Sequence, residues 1–147
     1  MTEHFESIFY DYMFAYRKFH VCTAALLTLT EDWRAELYKR KVIGAVAIDL
    51  SKAFDCLPLE LLLEKLKFYR VRDNSVALLR SYLSCRYQRV KLSHTFSTWL
   101  GVSVGVPQGS LLGPLLLNIF MNDLTFAITD CRLISSIYSI PKPWKMV

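Results

Sequence analysis

The sequence predicts an α+β fold, and three observations carry that prediction. Apolar residues recur at helical spacing in three separate stretches. One short uncharged run rich in valine and isoleucine stands apart from them, and two alternating segments flank residue 94. Helices and strands are therefore segregated along the chain and do not alternate regularly. With 147 residues, 53% of them apolar, the chain suits one core.

Residues 1–20 are rich in aromatics (Phe5, Phe9, Tyr10, Tyr12, Phe14 and Tyr16) and lead into Arg17 and Lys18. From Cys22 to about Arg40, the spacing of Leu26, Leu29, Trp33 and Leu37 predicts an amphipathic helix whose stripe packs inward. Val42 to Leu50 is short, apolar and β-branched, which predicts a buried strand. Pro58 then opens a helix with Leu59, Leu62, Leu63, Leu66 and Tyr69 inward. Asp73 is placed to N-cap the next, striped by Val76, Leu79, Tyr82 and Leu83. Arg86–Leu92 and Ser97–Val104 read as two strands joined near His94 and Thr95. A last helix starts at Ser110 or at Gly113-Pro114 and runs to about Leu124. From Leu133 the amphipathic period is lost and Pro141 and Pro143 follow, so residues 133–147 read as a divergent tail on a domain of residues 1–132.

The net charge of +5 is compatible with nucleic acid without demanding it. Cys22, Cys56, Cys85 and Cys131 lie far apart, with no C-x-x-C pair, which argues against a zinc site or a disulfide framework. The first residues lack the basic and apolar regions of a signal peptide, and no run approaches the roughly 18 apolar residues of a membrane span. The expectation is an intracellular protein of cytoplasm or nucleus, not secreted and without a membrane partner.

Two segments carry chemistry. In Ala47-Ile48-Asp49-Leu50-Ser51-Lys52-Ala53-Phe54-Asp55, a carboxylate ends an apolar run, where a hard cation can be held by oxygen. Taken singly, Asp49 equally suits a strand end, and Asp55 a cap for the helix near Pro58. In Gly105-Val106-Pro107-Gln108-Gly109-Ser110-Leu111-Leu112-Gly113-Pro114, a glycine-rich turn feeds a helix whose N–H groups can face phosphate. Basic residues at Lys39, Arg40 and Lys41, or at Arg86, Arg89 and Lys91, are within the repertoire of phosphate contacts, although for any one of them a solvated face is the better reading.

In this order the two segments resemble the palm of a reverse transcriptase of the non-LTR (LINE-like) retrotransposon type. Asn118 to Leu124 continues the second motif, and the likeness extends over roughly residues 14–132. The resemblance implies a partial polymerase right hand, fingers plus incomplete palm. It implies Asp49 as the catalytic residue and ligand of Mg2+, Phe54 as the ring excluding a ribose 2′-hydroxyl, and Gln108 and Gly109 in the nucleotide pocket. Arg17 and Lys18 match a basic element near the template. The partners implied are an RNA template, a DNA primer and deoxynucleotides.

Departures from the family pattern are specific. Phe19 and Arg70 stand where glycine is usual, and Leu59 where histidine is usual. Cys131-Arg132-Leu133 resembles the approach to the family's Tyr-x-Asp-Asp hairpin, but Ile134-Ser135-Ser136-Ile137-Tyr138-Ser139 follows, and no acidic residue occurs after Asp130. Serine hydroxyls do not replace paired carboxylates on magnesium. The expectation is therefore a reverse transcriptase fragment, truncated before that motif and inactive alone. A non-catalytic nucleic-acid-binding remnant and an unstable product without function are the alternatives.

Overall fold

Leucine density between residues 57 and 83 organises the better-packed part of the molecule. In the computed structural model, which describes residues 2–128 and 131–134, the chain divides into two units. Ile48–Asp123 forms one; the residues up to Ala47, with those from Leu124 onward, form the other.

In the Ile48–Asp123 unit, α3 (Leu59–Phe68) packs against α4 (Asp73–Leu83) and α5 (Leu112–Met121). Leu62, Leu63 and Leu66 of α3 meet the apolar faces of Val76, Leu79 and Leu83 from α4 and of Leu116 and Ile119 from α5, all buried. Pro58 occupies the N-cap of α3, with φ −73 and ψ 120, where its missing N–H costs nothing. The helix ends in a Schellman turn: Val71 N–H donates to the Leu66 carbonyl and Arg70 N–H to that of Lys67. That turn puts Arg70 at φ 59, a left-handed position glycine would occupy without strain. Arg80 grips Glu60 through two hydrogen bonds of 2.7 and 2.9 Å and holds that carboxyl below its ordinary range.

Four short strands follow. β1 (Arg86–Gln88) pairs antiparallel with β4 (Leu100–Val102), and β2 (Lys91–Leu92) with β3 (Thr95–Phe96). The predicted hairpin is thus present but interrupted, because the Ser97 hydroxyl accepts from Val90 N–H in place of a backbone carbonyl. Ser93, at φ 52, supplies the left-handed residue of the two-residue turn.

The other unit holds α1 (Thr2–Glu6), α2 (Cys22–Tyr38) and α6 (Leu124–Ala127). Its buried apolar side chains are Phe5, Phe9, Met13, Ala15 and Ala25.

Several expectations are corrected. Val42–Leu50 forms no strand: no turn or bend interrupts it, and Val42 is 98% and Val46 88% exposed. A strand exists only as a paired object, and among the described residues no strand pairs with this run. Asp73 is the first helical residue and not the cap, which is Arg72. There its carboxylate faces the positive end of the helix dipole. Tyr82 is exposed, as are Leu26 and Leu37 of α2, so both stripes are narrower than their spacing predicts. The last helix ends at Met121, short of Leu124, and near its end the Phe120 carbonyl accepts from the Lys65 ammonium at 2.6 Å. Residues 135–147 of the expected tail, and Asp130, lie outside the described residues.

Candidate functional site

The two chemistry-bearing segments are knitted together by their backbones. Lys52, at φ 58, turns the chain so that its carbonyl accepts from the N–H groups of Asp55 and Cys56. The Phe54 carbonyl then accepts from Val106 N–H at 2.8 Å, and the Leu57 carbonyl from Gly105 N–H at 2.7 Å. Pro58 and Val104 complete an antiparallel bridge. Gly105 makes this approach possible: at φ +79, a Cβ there would lie 2.6 Å from the Asp55 carbonyl oxygen and 2.7 Å from that of Phe54.

Side chains reinforce the junction. Gln108 donates its amide N–H to Asp55 Oδ1 at 2.7 Å, so Asp55 does not cap α3. Arg86 turns inward, its guanidinium donating to the carbonyls of Leu83, Val104 and Gly105. That assigns it a structural role in place of the phosphate contact its charge allows. Ser110 starts α5: its hydroxyl donates to the Pro107 carbonyl and accepts from Gly113 N–H at 2.9 Å.

Asp49 and Gln108 are exposed and Phe54 is half-buried. Gly109, also at φ +79, has open space where a Cβ would project. These four residues belong to the Ile48–Asp123 unit, whereas Arg17 and Lys18 belong to the other. Arg17 is only 7% exposed in its side chain. Its Nε and Nη2 donate to Glu6 and its Nη1 to the carbonyls of Tyr10 and Met13. Lys18 is exposed, its ammonium over the Phe19 ring. Phe19 sits at φ 64, the strain expected of a non-glycine residue in that loop.

Two participants escaped the sequence reading, the carboxylate of Asp55 as acceptor for Gln108 and Arg86 as the brace beneath the turn. No local signal marks either, since Gln108 and Asp55 lie 53 residues apart and Arg86 reaches the Val104 and Gly105 carbonyls 18 and 19 residues away. Among the described residues no three His, Cys, Asp or Glu side chains cluster, and the Asp55 carboxylate is already engaged by an amide.

Comparison with known proteins decides the family. Residues 2–139 match the family described as reverse transcriptase (RNA-dependent DNA polymerase). The chain belongs to the reverse transcriptase family. Similar proteins include a probable RNA-directed DNA polymerase from transposon BS of Drosophila melanogaster, 33% identical over 130 residues, covering 84% of this chain and 13% of that protein. Another is a probable RNA-directed DNA polymerase from transposon X-element of the same organism, 30% identical over 114 residues, covering 78% of this chain and 12% of that protein. The Pol polyprotein of the type-1 retrotransposable element R2 of Popillia japonica is 25% identical over 107 residues, covering 73% and 18%. The chain thus spans less than a fifth of the length of these relatives. As a reverse transcriptase segment it is mixed α and β, with helices and small sheets. No helix among the described residues is long and apolar enough to cross a membrane.

Proposed function

We propose that this chain is the fingers and first half of the palm of an RNA-directed DNA polymerase of the non-LTR retrotransposon type, and that it does not polymerise alone. The observation carrying the proposal is the junction itself. The segment bearing Asp49 and Phe54 is hydrogen-bonded, backbone to backbone, to the segment bearing Gln108 and Gly109. Such a junction fixes the two segments relative to each other, as positioning a nucleotide requires.

In this reading Asp49 is the carboxylate aimed at the reacting end of a primer. The Phe54 ring lies under the sugar of an incoming deoxynucleotide. Gln108, oriented by Asp55, and the open backbone at Gly109 contact its base or phosphates. Lys18 meets a template phosphate, while Arg17, spent on Glu6 and two carbonyls, shapes the loop that presents it. RNA template, DNA primer and deoxynucleotides would be met inside the cell. Mg2+ would be held weakly, Asp49 being one carboxylate where a two-ion site needs several. Residues 133–147 contain no acidic residue to add, which favours an inactive chain. The exposed Val42–Leu50 run favours, as a second reading, a product that self-associates and is short-lived.

The test is primer extension on an RNA template with magnesium and all four deoxynucleotides, comparing the soluble chain with Asp49→Asn. No extension from either is expected. Extension abolished by Asp49→Asn would refute the inactivity and reveal a working site. Calorimetric titration with a deoxynucleoside triphosphate tests the pocket separately. Gln108→Ala is expected to weaken binding several-fold, and equal affinity would remove Gln108 from the site.

A further inference from the structure

The interrupted hairpin of residues 86–102 carries a surface that the nucleotide pocket does not use. From Asn74 to Asn122 the chain has no acidic residue, while Arg80, Arg86, Arg89 and Lys91 fall inside that stretch. Arg80 and Arg86 are spent on Glu60 and on backbone carbonyls. Arg89 and Lys91 form no ion pair among the described residues.

These two cations lie against aromatic rings. The Arg89 guanidinium carbon is 4.0 Å from the centroid of Phe96 and 4.6 Å from that of Trp99. Lys91, paired across the strands with Phe96, holds its ammonium 5.6 Å from the same ring. Trp99 remains 61% exposed, and no residue from Tyr87 to Gly101 is buried. Large rings left in water beside unpaired cations mark a surface with a partner of opposite charge and planar groups.

We propose that this hairpin binds single-stranded nucleic acid, with Arg89 and Lys91 on backbone phosphates and a base stacked on Trp99. Guanidinium–phosphate contact and ring stacking are the two terms that bind such strands without reading sequence. Neither term uses the 2′-hydroxyl, so RNA and DNA strands bind alike. The polymer partner is suggested by the reverse transcriptase reading above. The contact itself needs neither Asp49, magnesium nor a deoxynucleotide.

The test is fluorescence anisotropy of short labelled oligo(U) and oligo(dT) strands with the full chain, in chelator, across a salt series. Trp99→Ala is expected to weaken both strands by about 5-fold to 100-fold, with Trp99→Phe retaining most of the affinity. Lys91→Ala is expected to flatten the salt dependence by about 0.7 in logarithmic slope, the value for one single-strand phosphate. Circular dichroism confirms that each variant is folded. Unchanged affinity in folded Trp99→Ala and Lys91→Ala would overturn the proposal, as would a wild-type chain that binds neither strand. Loss confined to anionic lipid vesicles would also overturn it, in favour of a membrane surface. Because no magnesium or nucleotide is present, this result is independent of primer extension.

Discussion

Replacing Gly105 by alanine tests the junction on which the functional reading depends. Two costs add. An L-residue at φ +79 loses about 1–2 kcal/mol relative to glycine. The new Cβ, 2.6 and 2.7 Å from two carbonyl oxygens of the facing turn, forces the segments apart. It thereby strains the hydrogen bonds from Gly105 to Leu57 and from Val106 to Phe54, worth about 0.5–1.5 kcal/mol each. The sum is about 2–5 kcal/mol. Gly109→Ala is the internal control. It has the same φ of +79 and nothing within 4 Å of the added carbon, so only the conformational cost of about 1–2 kcal/mol applies. Urea denaturation gives the difference between the variants, and hydrogen exchange at Gly105 and Val106 shows whether the junction opens. Equal destabilisation, with both amides still protected in Gly105→Ala, would refute the close approach and the argument built on it.

Four further outcomes are expected. Arg70→Gly relieves the left-handed residue at the end of α3 and should raise stability by about 1 kcal/mol in the same urea assay; a loss would show that the Arg70 side chain makes a larger contribution. Leu66→Ala, at a fully buried position, should cost about 2–5 kcal/mol, and a change under about 1 kcal/mol would contradict the packing of α3 on its neighbours. Glu36 is held at about 2, down from 4.5, by hydrogen bonds from Lys39 and Lys41. With the folded value depressed, its support of the α2 end is complete above 4.5 and is lost as pH falls towards 2; a carboxyl titration by NMR with a midpoint near 4.5 would refute the pairing. Val46→Lys should reduce self-association measured by light scattering, because a charge is placed in the middle of the exposed apolar run; unchanged scattering would clear that segment.

Glycine positions illustrate how sequence and tertiary structure divide the account. Gly105 and Gly109 look alike in the sequence and share a φ of +79, yet only Gly105 faces a neighbouring backbone. Phe19 and Arg70 were suspect because a resemblance expects glycine there, and both adopt positive φ. The resemblance marked those two positions, whereas Tyr16, Arg40, Lys52, Cys85 and Ser93 adopt positive φ with no such mark, and the close approach at Gly105 has no local signal.

The same division holds for the elements. Apolar periodicity was sufficient to place α3 and α4, since a helix satisfies its own backbone hydrogen bonds within contiguous sequence. The alternation of residues 86–104 marked the hairpin, and the motif from Gly105 to Pro114 marked the family. Val42–Leu50 has the composition of a strand but not its partner, and pairing is a property of two segments, never of one. The roles of Arg17 and Arg86 were hidden for the same reason: a guanidinium is cationic wherever it stands, and only the fold decides whether carbonyls or solvent surround it. Composition and spacing determined which elements this chain can form. Tertiary contact decided which charges are spent inside it and which face solvent.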